Sequence, residues 1–191
     1  MFSDPILKQL GEKYPGPNFV DKSEELFPSL IESIISQQLS VKAADVIFAR
    51  FLKLFGSKKF PPPQEIIAMD RENLRAVGIS YAKVNYIKAI SEAFAKGEID
   101  IAKIKNLPDE EVIVELTKLK GVGRWTAEML LIFTLNRPDV FSVGDLGLRR
   151  AIEKLYGITD SEEILQLSET WKPYRSTACW YLWRSLENVP L

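Results

Sequence analysis

Two features that could do chemistry lie 22 residues apart, a glycine-containing turn and a carboxylate after it. The turn, residues 119–123, reads LKGVG and joins two helical patterns. Gly121 and Gly123 can adopt positive φ and allow another backbone to come close. We expect the turn to direct the amides of Val122, Gly123 and Arg124 outward at the start of the next helix. Such a helix start is suited to binding a phosphate.

Three cations and one carboxylate complete this segment. Lys118, Lys120 and Arg124 place positive charge around the turn. A loop of small residues then delivers Asp145 to the start of another helix. Aspartate is a favoured helix N-cap, so a purely structural Asp145 is the alternative. Asp139, six residues earlier, is the competing carboxylate, and its setting is typical of an ordinary turn.

Together these residues resemble the helix-hairpin-helix GPD superfamily of DNA base-excision glycosylases, and within it the 3-methyladenine DNA glycosylase II group. The sequence LKGVGRWTA at 119–127 looks like the hairpin of that family. The sequence VGD at 143–145 looks like its Gly/Pro-rich loop with a catalytic aspartate. The likeness extends over about residues 28–186. Larger bacterial members carry an additional N-terminal β-rich domain, and this chain resembles the minimal form without it.

The resemblance implies hydrolysis of the N-glycosidic bond of alkylated purines, chiefly 3-methyladenine-like lesions, in duplex DNA after base flipping. Ionised Asp145 would stabilise the oxocarbenium-like sugar and orient or deprotonate the attacking water. Bifunctional relatives carry a lysine where this chain has Trp125, and tryptophan cannot form a Schiff base. We therefore predict a monofunctional enzyme without lyase activity. The alternatives are a glycosylase for hypoxanthine or an oxidised purine, and a non-catalytic helix-hairpin-helix DNA-binding module.

The resemblance also implies a base pocket of aromatic rings, because electron-rich faces attract a cationic base. Trp183 matches the pocket tryptophan of the C-terminal helix, and Trp125 lies near the pocket floor. Met129, one turn after Trp125, stands where relatives can carry a ring. Aromatic residues at helical spacing usually belong to the core, which is the alternative for Trp183.

Two further positions match residues that enter the duplex in related glycosylases. Gln38 would fill the gap left by the flipped nucleotide, where unstacking costs roughly a few kcal/mol. Its alternative role is to cap the preceding helix. Ile79 or Tyr81 would serve as a second wedge, although a core role for Ile79 fits the sequence equally well.

The family hairpin often binds a sodium or potassium ion through backbone carbonyls. Here those carbonyls belong to Thr117, Leu119 and Val122. We expect this cation to be structural, and we predict no required cofactor.

Composition excludes several other kinds of site. The chain has no histidine, which excludes histidine-based catalysis and histidine-ligated metals. One cysteine, Cys179, excludes an internal disulfide and a four-cysteine zinc or iron–sulfur site. The net charge of −1 means that DNA must be bound by a local basic patch. The candidates are Lys118, Lys120, Arg124, Arg149 and Arg150, unless these side chains only solvate helices.

About eleven segments with helical patterns must position these residues, and we expect an all-α protein of two helical lobes. One lobe, 28–135, contains the helix-hairpin-helix, and the other, 1–27 plus 136–191, carries Asp145. The resemblance implies a cleft between the lobes that holds Asp145, Trp125 and Trp183. We expect a monomer that binds double-stranded DNA containing alkylated bases and has no membrane partner. No signal peptide or membrane span is predicted, so we expect location in the cytoplasm with the nucleoid in a prokaryote, or in the nucleus in a eukaryote.

Overall fold

A computed structural model describes residues 2–56 and 60–186, and all regular secondary structure in those ranges is helical, as predicted. The helices are α1 (Pro5–Lys13), a 3-10 turn (Ser23–Glu25), α2 (Leu26–Ser36), α3 (Val41–Lys53), α4 (Pro63–Ala68), α5 (Arg71–Ala76), α6 (Tyr81–Ala95), α7 (Ile101–Asn106), α8 (Asp109–Thr117), α9 (Arg124–Phe133), α10 (Leu146–Tyr156), α11 (Ser161–Glu169) and α12 (Arg175–Ser185). None of the described helices has the length and apolar character needed to cross a membrane.

The chain forms two compact units that differ slightly in their limits from the predicted lobes. One unit spans Lys22–Leu130 and the other combines Met1–Asp21 with Leu131–Leu191. The change from one unit to the other falls inside α9. The lobe limits drawn from the sequence stay a prediction.

The unit Lys22–Leu130 is built on the packing of α2 against α6. The apolar residues that repeat at helical spacing in these two helices are fully or almost fully buried. They are Leu30, Ile31, Ile34 and Ile35 in α2 and Val84, Ile87 and Ile90 in α6. Helix α3 is only partly in this core, because Phe51 is buried whereas Val41 is exposed. The unit therefore presents the start of α3 to solvent.

In the second unit α12 packs against both α1 and α10. Ala178, Cys179 and Leu182 of α12 are fully buried. Asp4 caps α1 by accepting hydrogen bonds from the amides of Ile6 and Leu7, both at 2.9 Å. The contact with α12 makes α1 part of this packed unit.

Helix α7 was missed by the sequence analysis. It has only six residues, and Ile104 is its one buried residue. A single buried position cannot establish a 3.6-residue period, although Asp100 is a recognisable N-cap and accepts from the amide of Lys103 at 3.1 Å.

Candidate active site

Asp145 lies at the N-cap of α10, as its sequence setting predicted. Its Oδ1 accepts hydrogen bonds from the amide of Leu148 at 2.7 Å and from Trp183 Nε1–H at 2.9 Å. The residue is 7% exposed, and its own amide donates to the carbonyl of Ser142 at 3.1 Å. The N-terminal end of a helix also stabilises negative charge. The structure thus holds a carboxylate in a fixed orientation, nearly out of water.

The hydrogen bond from Trp183 fixes the orientation of this carboxylate. The sequence did not predict this contact. Its indole ring is 1% exposed and stacks on Phe133 with ring centroids 5.7 Å apart. A Cβ on Gly147 would lie 3.1 Å from both Asp145 Oδ1 and Trp183 Cδ1, so a small residue is needed there. Gly147 lies in the first turn of α10 without positive φ, and such a glycine indicates close packing. The implied role of Trp183 in base binding stays a prediction, because its ring is covered in this structure.

Asp139, the competing carboxylate, is engaged in a structural ion pair. Its Oδ1 accepts from Arg175 Nε at 2.8 Å and its Oδ2 from Arg175 Nη2 at 3.0 Å. Nearby, Ser176 Oγ accepts from the amide of Val140 at 3.0 Å. These bonds fasten the turn before Val140 to the start of α12. The paired arginine gives Asp139 a defined role in the fold.

The predicted hairpin is present, but its two glycines serve different purposes. Gly121 has φ +89°, and a Cβ there would lie 2.5 Å from the ring of Tyr86. Gly123 does not have positive φ, and a Cβ there would meet nothing within 4 Å. The expectation of an outward Val122 amide is wrong, because that amide donates to the carbonyl of Leu119 at 3.1 Å. Gly123 and Arg124 remain at the start of α9, where amides have no partner within the helix.

Ion pairs occupy two of the three cations predicted around the hairpin. Arg124 bonds to Glu110 and, at 2.9 Å, to Glu128. The hydrogen bond with Glu110 is the main reason that the pKa of Arg124 is raised. Lys118 pairs with Glu115 at 2.7 Å, and this bond lowers the pKa of the Glu115 carboxyl. A bound phosphate would therefore compete with protein carboxylates for Arg124 and Lys118.

The other members of the predicted basic patch differ in exposure. Lys120 and Arg150 are exposed. Arg149 donates to the carbonyl of Thr159 at 3.0 Å and to Ser161 Oγ at 2.8 Å. Arg149 thus helps to fasten the segment that precedes α11.

Comparisons with known proteins identify the family of this chain. A family model described as HhH-GPD superfamily base excision DNA repair protein matches residues 31–174. The chain belongs to the HhH-GPD superfamily. DNA-3-methyladenine glycosylase 1 of Schizosaccharomyces pombe is 43% identical over 173 residues, which cover 88% of this chain and 76% of the relative.

Solved structures of superfamily members have the same fold. The S. pombe 3-methyladenine DNA glycosylase in complex with abasic DNA gives a TM-score of 0.84 at 39% identity, covering 97% of this chain and 93% of that one. A DNA-3-methyladenine glycosidase from Bacillus halodurans gives 0.79 at 34% identity, covering 96% and 89%. The fold of this chain is therefore that of the HhH-GPD superfamily.

The two HhH-GPD pocket candidates on α9 lie one turn apart. Trp125 is 46% exposed, which is unusual for so large an aromatic residue, and Met129 is half-buried. Exposure leaves much of the Trp125 ring accessible to a ligand. The base-binding roles of both residues stay predictions.

The residues predicted to enter the DNA duplex differ sharply in their exposure to solvent. Gln38 is exposed and has φ +58°, which projects it from the α2–α3 junction. Ile79 is fully buried, so the alternative core role holds and the wedge role is withdrawn. Tyr81 is 50% exposed, and Arg75 lies over its ring, 4.4 Å from the centroid. Tyr81 therefore remains as the wedge candidate.

The carbonyls proposed for a monovalent cation lie around the hairpin turn. The Leu119 carbonyl already accepts the Val122 amide, and a carbonyl oxygen has a second lone pair. No cluster of three or more metal-binding side chains occurs among residues 2–56 and 60–186. The cation stays a prediction that depends on backbone oxygens of Thr117, Leu119 and Val122.

Proposed function

We propose that this chain is a monofunctional DNA glycosylase that hydrolyses the N-glycosidic bond of alkylated purines, chiefly 3-methyladenine-like lesions, in duplex DNA. The observation that carries the proposal is the buried Asp145 carboxylate, held by two N–H donors at the start of α10. The names of the relatives support alkylated purines as the substrate class. Its place of action would be the cytoplasm in a prokaryote or the nucleus in a eukaryote.

The reaction needs one well-placed negative charge. The bond between C1′ and the base nitrogen breaks, its electron pair leaves with the base, and the sugar becomes oxocarbenium-like. Asp145 stabilises this cation and orients water, whose oxygen bonds to C1′ while its proton passes to the carboxylate or to solvent. An alkylated purine is already cationic and becomes neutral on leaving. A strong general acid is therefore unnecessary, and no cofactor is required.

Trp125 supports a reaction that ends at the abasic site. Its indole carries no amine that could attack the sugar and lead to strand cleavage. Its exposed ring suits a cationic base, because the face of an indole attracts positive charge. Met129 and Trp183 complete the proposed set of base-binding residues.

The DNA itself is held by other parts of the chain. Gln38 fills the gap in the duplex, Tyr81 presses on the strand beside it, and Lys120 with the amides of Gly123 and Arg124 binds a phosphate. A sodium or potassium ion on the hairpin carbonyls would support that phosphate. The protein would act as a monomer.

The test is base release from three duplexes that carry methylated purines, hypoxanthine or 8-oxoguanine. Free bases are separated by chromatography, and covalent intermediates are sought by borohydride trapping. We expect free 3-methyladenine, no trapped protein, and strand breaks only after alkali treatment. Trapped protein would contradict the monofunctional assignment.

Release confined to hypoxanthine or 8-oxoguanine would move the substrate to that lesion class. Intact duplex binding without release from any of the three would favour a helix-hairpin-helix binding module. These outcomes separate the proposed activity from both alternatives.

A further inference from the structure

Lys83, in the first turn of α6, clamps the end of α2. Its Nζ donates to the carbonyl of Ile35 at 2.8 Å and to the carbonyl of Gln37 at 2.6 Å. Carbonyls at a helix C-terminus have no partners within the helix and carry partial negative charge, so an ammonium group stabilises them. Burial lowers the pKa of Lys83. The clamp ends directly before Gln38.

Gln38 needs such support because its backbone is strained. A non-glycine residue at φ +58° lies in the left-handed region, which is less favourable than the right-handed region because of its Cβ. The amide of Leu39 donates to the carbonyl of Ser36 at 3.1 Å across this position. Together with the Lys83 clamp, this bond keeps the α2–α3 junction in a conformation that exposes Gln38.

The next turn of α6 supports the hairpin. The ring of Tyr86, three residues after Lys83, lies so close to Gly121 that a Cβ at this glycine would be 2.5 Å away. Gln37 Nε2 donates to the carbonyl of Gly121 at 2.9 Å. The first two turns of α6 therefore contact both segments, and the Gln37 side-chain amide connects the segments directly.

We propose that Gln37, Lys83 and Tyr86 are positioning residues that set the spacing between Gln38 and the phosphate-binding hairpin. This inference rests on the proposed function. A duplex places the phosphate and the emptied base position at a defined separation, so the two protein segments must match that separation together. The three residues act on gap filling and not on bond cleavage.

The experiment measures how much more tightly the protein binds a duplex that lacks one base than an intact duplex. This measurement needs no catalysis. The probes are a duplex with a tetrahydrofuran abasic-site analogue and an undamaged duplex of the same sequence. The affinity for the abasic-site duplex divided by the affinity for the undamaged duplex reports gap filling by Gln38. Lys83→Met should lower the ratio by about tenfold, the scale of one lost charge-assisted hydrogen bond. Lys83→Arg should restore most of it, because the cation is kept.

Gln37→Glu provides a pH-dependent test at almost constant shape. At pH 8 its carboxylate would face the Gly121 carbonyl without a proton to donate, and the ratio should fall. Partial burial beside the Gly121 carbonyl favours the protonated form of this acid, which can donate again, so near pH 5 the ratio should recover in part relative to wild type at the same pH. A purely structural defect would show no such recovery.

Lys88→Met is the matched control on the same helix. Lys88 Nζ donates to the carbonyls of Ile67 at 2.9 Å and Met69 at 2.6 Å, so it clamps the end of α4 as Lys83 clamps α2. Lys88→Met should destabilise the fold about as much as Lys83→Met does. It should leave the affinity ratio unchanged. An equal fall of the ratio in Lys88→Met would overturn the proposal.

Hydrogen exchange at the amide of Leu39 is read in parallel, in protein without DNA. We expect faster exchange in Lys83→Met and in Gln37→Glu at pH 8, and wild-type exchange in Lys88→Met. Unchanged exchange in the first two variants, or faster exchange with an unchanged affinity ratio, overturns the inference. If wild type releases no base but both readouts change as expected, the proposed function fails and the positioning role stands.

Discussion

Replacing Asp145 with asparagine removes one negative charge and almost preserves the shape of the side chain. The amide oxygen can still accept from Leu148 N–H and Trp183 Nε1–H, which lie 2.7 and 2.9 Å from Oδ1 in the native protein. Asparagine is also as good an N-cap as aspartate. Since a neutral acceptor weakens both bonds, we expect the free energy of unfolding to fall by only about 1–2 kcal/mol. The folded protein should persist.

The loss of rate follows from the lost attraction between the carboxylate and the cationic sugar. Asp145 is 7% exposed, so an effective dielectric constant of about 20 is appropriate. Two unit charges about 4 Å apart then attract each other by about 4 kcal/mol. One decade in rate corresponds to about 1.4 kcal/mol. Asp145→Asn should therefore slow base release by about three decades.

The assay is single-turnover release of 3-methyladenine from methylated duplex DNA, with thermal unfolding measured on the same preparations. Asp160→Asn is the matched control, because Asp160 caps α11 by accepting from two amides in the same unit. It should release base at the wild-type rate. The reasoning is falsified if folded Asp145→Asn keeps a rate within about tenfold of wild type, since the charge would then contribute under about 1.4 kcal/mol.

Three further predictions concern the hydrogen bond from Trp183 to Asp145 and the close contact between Gly121 and Tyr86. Trp183→Phe removes the N–H group that donates to Asp145 Oδ1, so base release should slow by about tenfold or more. An unchanged rate would contradict a positioning role for this hydrogen bond. Gly121→Ala should lower the free energy of unfolding by about 2 kcal/mol or more, because φ is +89° and the new methyl group would clash with the ring of Tyr86. Gly123→Ala should leave the thermal unfolding temperature nearly unchanged, because a Cβ there meets no atom within 4 Å. In a double-mutant cycle Tyr86→Ala should recover part of the Gly121→Ala loss, and strict additivity would exclude the steric explanation.

Local sequence signals were sufficient for most helices and their ends. Ser40, Asp70 and Ser80 each cap the helix that follows, and Gly157 ends α10 with φ +71°. These signals act over a few residues, so they can be read without knowing the fold. They did not lead to a prediction of α7, although Asp100 is an N-cap of the same kind.

The amino-acid sequence alone predicts a carboxylate at a helix start at position 145 and shows that no lysine stands at position 125. It also marked residues 119–123 as a tight turn. The contacts around these residues form only when the chain folds. Trp183 holds Asp145 from 38 positions away, and Gln37 reaches Gly121 across 84 positions.

The ion pair between Arg124 and Glu110, 14 positions apart, likewise depends on how the helices pack. A sequence pattern specifies which face of a helix is apolar, but many pairings of such faces bury similar area. The selection among them depends on the summed fit of side chains across the whole core. Contacts that depend on this selection, including those that orient Asp145 and support Gln38, are visible only in the folded protein.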